Sequence, residues 1–346
     1  MWRKMTKAFA GYGSSSPTKD EIELLEWAAR RDEMHVRVAP VMTAEQKDMD
    51  EVIERMHKAF AGYGSTSPTM KQIAFYEEMK ITFRAAEYSV EINDIAEKGK
   101  GIKTDCEDKL SKEQINQEVV TRLKKLGLEY DPNTKNFEHK NGLVVAAYED
   151  KDTGKVYLAY IGYGNKTKDE LFRLNWWNGW GTNAGNTFFG FKEAQYTLAI
   201  EVGEAFKDAY KEKLVITGQS LGGGFASVAG LKTGLKTITF NAAGPNYKSA
   251  GYKNESDFKA AVQNARNITA YCVKGEFVWA LTMEGGFFEF APDPIGQKIY
   301  LEPQPPELKT KKYLLDYIFV PFKLHEPKYI IPALMEYMKD NYGGLK

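Results

Sequence analysis

The stretch Leu214-Val215-Ile216-Thr217-Gly218-Gln219-Ser220-Leu221-Gly222-Gly223-Gly224 constrains this chain more than any other. An apolar run suited to a buried strand enters Gly-x-Ser-x-Gly. Phe225-Ala226-Ser227-Val228-Ala229 then continues with helical character. A strand that turns directly into a helix leaves no room for side chains around the turn, which is why Gly218 and Gly222 flank the serine. Ser220 is expected on a strained turn, its hydroxyl held above a sheet at a helix N-terminus, where the dipole favours developing negative charge.

The flanking pattern supplies the sheet. Residues 143–148 and 156–161 read as buried strands joined by the Asp152-Thr153-Gly154 turn. Helical periodicity covers 111–125, with Ile115, Val119, Val120 and Leu123 on one face, and again 191–210. Strands at 214–217, 237–240 and 268–273 then alternate with helices from Leu221 and over 258–265. A short hairpin is expected over 287–300 and a last helix over 327–342. Strand–helix alternation points to a parallel sheet covered on both faces.

A serine hydroxyl needs a base, and the base an orienting acid. In a strand–turn–helix site the acid and then the histidine follow the serine along the chain. Of His35, His57, His139 and His325, only His325 follows Ser220. Glu276 leaves the end of the 268–273 strand and is the preferred acid, ahead of Asp293 and Asp316. The oxyanion hole calls for the Leu221 amide and a second amide from the loop after the 156–161 strand, where Tyr163 sits in Gly162-Tyr163-Gly164-Asn165.

The first hundred residues differ in texture. Lys7-Ala8-Phe9-Ala10-Gly11-Tyr12-Gly13-Ser14-Ser15-Ser16-Pro17-Thr18 recurs at Lys58 to Thr69 with only Ser15 exchanged, for Thr66. Thr18 with Glu21, and Thr69 with Gln72, make capping boxes that start helices. The repeat reads as a duplicated helix-loop-helix that packs on something, or more sharply as a repeated docking tag. Residues 95–110 read as a charged linker, dividing a helical N-terminal region, 1–110, from a catalytic domain, 111–346. A chain beginning near Ser111 is therefore expected to keep the sheet, the turn at Ser220 and His325.

Lys+Arg and Asp+Glu number 47 each, so bulk charge gives no reason to expect nucleic acid. Cys106 and Cys272 make neither a disulfide framework nor a cysteine-ligated zinc site. No apolar run reaches the ~18 residues of a membrane helix, and no secretory signal is visible. Those features suggest the cytoplasm, or export without a cleavable signal peptide.

Gly218-Gln219-Ser220-Leu221-Gly222-Gly223, the strand Thr237-Ile238-Thr239-Phe240 with Asn241-Ala242-Ala243-Gly244, the turn from Gly275 to Val278, and His325 before a helix together resemble the class 3 lipase family, in particular its bacterial lipase-like branch. The resemblance covers about residues 140–345. It implies an α/β-hydrolase fold with a mostly parallel sheet, and esterase, lipase or phospholipase activity through Ser220, His325 and Glu276 without metal or cofactor. Gln219 stands where that family usually has His, Glu276 where Asp is usual, and Ile161-Gly162-Tyr163 where Arg-Gly-Thr is frequent. Trp176, Trp177 and Trp180 suit an acyl pocket or lipid boundary, and the apolar run 313–322 suits core or a flap over an acyl chain. A lipid hydrolase with an added helical region fits an antibacterial or host-directed effector that meets a membrane surface and an adaptor or immunity protein. A carboxylesterase or thioesterase, and a non-catalytic binding protein on the same fold, stay open at this point.

Overall fold

The computed structural model describes residues 70–98, 104, 106–161, 193–276, 278–279, 292–304 and 324–343. Among the described residues eight strands form one sheet in sequence order: β1 (Leu128–Asp131), β2 (Asn136–His139), β3 (Val144–Asp150), β4 (Lys155–Ile161), β5 (Leu214–Gln219), β6 (Thr237–Phe240), β7 (Ile268–Val273) and β8 (Gln297–Leu301). β1 to β4 pair antiparallel as a meander; from β4 to β8 every pair is parallel. The mixed α/β architecture expected from strand–helix alternation is the one observed.

The parallel half dictates where the helices lie. β4 to β8 follow one another across the sheet, and each crossover is right-handed by default, so the connecting helices fall on one face. These are α3 (Glu193–Tyr210), α4 (Ser220–Thr233) and α5 (Glu255–Gln263), joined on that side by α2 (Gln117–Lys125). Val202 and Phe206 of α3, Phe225 and Val228 of α4 and Val119 and Leu123 of α2 share one core with Leu158, Ile216 and Ile268 of the sheet. Gly203 keeps α3 close to α4: a Cβ there would lie 3.1 Å from that of Ala229.

β5 is buried along its whole length, so its second face needs a cover too. The helices that flank the alternating region supply it: α1 (Met70–Lys98), from Glu77 onward, and α6 (Ile330–Gly343), up to Tyr337. On α1, Ser89 Oγ bonds Thr217 Oγ1 of β5 at 2.9 Å, and Thr217 Oγ1 also reaches the Ala85 carbonyl at 3.2 Å. Tyr88 stacks on Tyr148 of β3 with ring centroids 4.4 Å apart. Arg84, almost wholly buried, pairs with Asp150 and Asp152 at the β3–β4 turn. On α6, Tyr337 meets the Tyr271 ring of β7 edge-on.

The compact unit that carries the sheet therefore runs from Glu77 to Tyr337. The described residues 77–98, 104 and 106–110, which the sequence reading puts in the helical region, belong to this unit. Helical periodicity reports an apolar stripe, not the surface it covers. The expected linker is partly helix, to Lys98, and partly a segment pinned by the Lys109–Tyr148 bridge and the buried Lys109–Glu91 ion pair at 3.0 Å. β1 and β2 were not expected: each is four residues with charged positions, and an Asp131 turn that accepts the Asn133 N–H closes them. α2 starts at Gln117 because the Asn116 side chain caps it, accepting the Glu118 N–H. Of the hairpin expected over 287–300, residues 287–291 lie outside the described residues, and β8 pairs parallel with β7. The duplicated segment and the helix expected after Thr18 lie outside the described residues, and the helix expected after Thr69 is α1.

Shortening the chain to begin at Ser111 is now expected to abolish cooperative folding. It removes Tyr88, which stacks on Tyr148 of β3, and with it the buried Phe83 and Ile92 of the same helix. Each such side chain contributes ~1.5–3 kcal/mol on burial, against a total stability of ~5–15 kcal/mol. The check is a thermal melt followed by circular dichroism. A cooperative transition with full ester hydrolysis from the shortened chain would put α1 outside the fold.

Candidate active site

The turn at Ser220 has the expected strain. Ser220 sits at φ +55°, a region L-residues with a side chain rarely occupy, as the first residue of α4 directly after β5. Glycine is demanded by space around it. A Cβ on Gly218 would lie 2.4 Å from the Gly222 carbonyl oxygen, and one on Gly222 would lie 2.1 Å from that of Tyr160 in β4. The Ala243 N–H, beyond β6, donates to the Ser220 carbonyl at 2.9 Å and holds the turn from the other side.

Two loops bring groups to Ser220. β7 ends in Lys274-Gly275, with Gly275 at φ +79°, and this turn directs Glu276 inward until only 1% of it is exposed. Its carboxylate accepts the Val278 N–H at 2.8 Å and the Trp279 N–H. His325, just before the turn Pro327–Tyr329, places Nδ1 at 2.5 Å from Glu276 Oε2 and Nε2 at 2.8 Å from Ser220 Oγ. An ionised carboxylate only accepts, so the proton belongs on Nδ1. Nε2 is then the acceptor for the Ser220 O–H. This arrangement can take a proton from the hydroxyl as its oxygen attacks, and the buried carboxylate can stabilise the resulting imidazolium.

Ser220, His325 and Glu276 are thus brought together, and Leu221 has its amide in the first turn of α4, where no intrahelical acceptor exists. Asp293 is not joined to His325; it pairs with Lys298 at 2.7 Å. It shares with Glu276 the lining of a cavity of about 10 Å³, room for roughly one water. Tyr163, Trp176, Trp177, Trp180, Asp316 and the 313–322 run lie outside the described residues. Among the described residues no group of His, Cys, Asp or Glu is arranged to hold a metal ion, and no helix is long and apolar enough to cross a membrane. Sequence reasoning missed Gln219 as a contact to the histidine: its Nε2–H donates to the His325 carbonyl at 2.6 Å. The signal was present in the strand period, which puts the polar residues Thr217 and Gln219 on the same face of β5.

The family model described as phospholipase-like, a Tle-like phospholipase domain, matches residues 116–288, half of the chain. That span holds α2 through β7, Ser220 and Glu276, and ends before His325. An extracellular phospholipase A1 of Serratia liquefaciens is 43% identical over 94 residues, 27% of this chain. The match spans 29% of that relative's own length. With half its length matched by the model, this chain belongs to the Tle-like phospholipase domain family.

Proposed function

We propose that this protein is a serine phospholipase that hydrolyses acyl esters of membrane lipids, with a catalytic apparatus of the kind found in class 3 lipases. The observation that carries the reading is the unbroken line of contacts from Ser220 Oγ through the His325 ring to the buried Glu276 carboxylate. Ser220 Oγ attacks the ester carbonyl as His325 Nε2 takes its proton. The carbonyl oxygen becomes an oxyanion that the Leu221 amide receives, with the Tyr163 amide assigned as the second donor. The C–O bond to the lysolipid alcohol breaks, and His325 returns the proton to that oxygen. Water then attacks the acyl-serine, again giving its proton to His325, and the fatty acid leaves with Ser220 restored. Glu276 orients the ring throughout and balances its charge.

Trp176, Trp177 and Trp180 are assigned to acyl-chain contact. The word extracellular in the name of the Serratia liquefaciens relative favours export over a cytoplasmic role, in keeping with an effector that engages an adaptor or immunity protein through the N-terminal repeat. The test is fatty-acid release from diacyl phospholipids labelled separately in the sn-1 and sn-2 chains, beside a triglyceride, a thioester and a short p-nitrophenyl ester. Release of the sn-1 chain is the expected result. Turnover confined to the short ester or the thioester would replace the lipid substrate.

A further inference from the structure

We infer that Gln219 is a positioning residue that fixes the distance between base and nucleophile by tying the backbone of His325 to the strand that presents Ser220. This rests on the catalytic reading of Ser220, His325 and Glu276 given above. The period of β5 sends Val215, Thr217 and Gln219 to the face opposite α3 and α4. Thr217 draws α1 onto that face through Ser89 and the Ala85 carbonyl. Gln219 does the same for the segment bearing the histidine: its amide, 3% exposed, donates from Nε2 to the His325 carbonyl at 2.6 Å. The next residue is Ser220, whose Oγ lies 2.8 Å from Nε2 of that same His325.

Two consecutive residues of the chain therefore hold one histidine at two points, Gln219 at its main chain and Ser220 at its ring. Glu276 holds the far side of the ring. Imidazole position is thereby referred to β5 itself, the strand that also sets Ser220 Oγ. Without the main-chain tie, the His325 backbone loses its link to β5, and the distance from ring to serine no longer follows the strand. Misplacement of a reacting group by about an ångström is enough to cost ~10²-fold in rate.

The test compares Gln219→Met, close in length but without a donor, with Gln219→His, which keeps a ring N–H. Both are assayed on a soluble ester, with folding checked by circular dichroism. Gln219→Met is expected to lower kcat by ~10- to 100-fold with KM within about twofold of wild type, and to slow labelling by a fluorophosphonate in parallel. Gln219→His should recover most of both. Gln219→Met holding more than half of the wild-type kcat, or Gln219→His falling as far as Gln219→Met, overturns the tether while leaving the catalytic reading in place. A wild-type enzyme that neither reacts with the fluorophosphonate nor hydrolyses the ester overturns the catalytic reading itself, before any variant is compared.

Discussion

Ser220→Ala is expected to give a folded protein whose ester hydrolysis is lower by about 10⁴ to 10⁶, a barrier increase of ~5–8 kcal/mol. The magnitude follows from what is removed. Without Oγ no acyl-enzyme forms, and His325 can at best direct water to the carbonyl, leaving the contribution of oxyanion donors and substrate binding. The fold should be insensitive because Ser220 is only half-buried and its hydroxyl bonds the His325 ring, not the core. The turn geometry is imposed by Gly218, Gly222 and the Ala243 N–H, none of which the substitution touches. Initial rates on a soluble ester, a thermal melt and mass-spectrometric mapping of a fluorophosphonate adduct form the measurement. A variant that keeps a tenth of wild-type turnover, or an adduct at another residue, would remove Ser220 from the chemistry.

The parts of this site that were legible in the sequence are those that local rules determine. Gly-x-Ser-x-Gly after an apolar strand specifies much of its own geometry, because the collision at Gly218 is with the Gly222 carbonyl that the turn itself brings near, while the one at Gly222 is with Tyr160 of the neighbouring strand β4. β7 was read as 268–273 and is observed as Ile268–Val273; its end places Glu276 as the order of elements required. His325 emerged by chain order, not from its surroundings. What was not legible depends on groups distant in sequence. The period of β5 places Gln219 on the same face as Thr217, but it does not say that its amide meets the carbonyl of residue 325. The apolar stripe of α1 is visible, but its partners Tyr148, Thr217 and Tyr271 are not. That is why the boundary drawn at residue 110 falls inside the compact unit that begins at Glu77. The short β1 and β2 carry too few apolar residues to show a period of two, and pairing with β3 decides them.

Glu276→Gln is expected to reduce turnover by ~10² to 10⁴, and Asp293→Asn by no more than about threefold, a barrier change under ~1 kcal/mol. The two carboxylates border the same small cavity, so proximity does not separate them; their partners do. Asp293 is neutralised by Lys298, a contact that an amide oxygen also makes. The Glu276 carboxylate accepts from three donors at once: the N–H groups of Val278 and Trp279, and His325 Nδ1. An amide in its place presents one acceptor and one NH₂ group. Either a backbone N–H or the imidazole N–H then faces a donor, and the ring turns away or adopts the tautomer with its proton on Nε2, which cannot accept from Ser220. The negative charge that offsets the imidazolium in the transition state is lost as well. Binding of substrate uses none of these contacts, so kcat should carry the loss, with KM close to wild type. Steady-state kinetics of both variants on the same soluble ester decide the matter. A severe loss in Asp293→Asn with near-normal Glu276→Gln would transfer the orienting role to Asp293 and require His325 to turn toward it during catalysis.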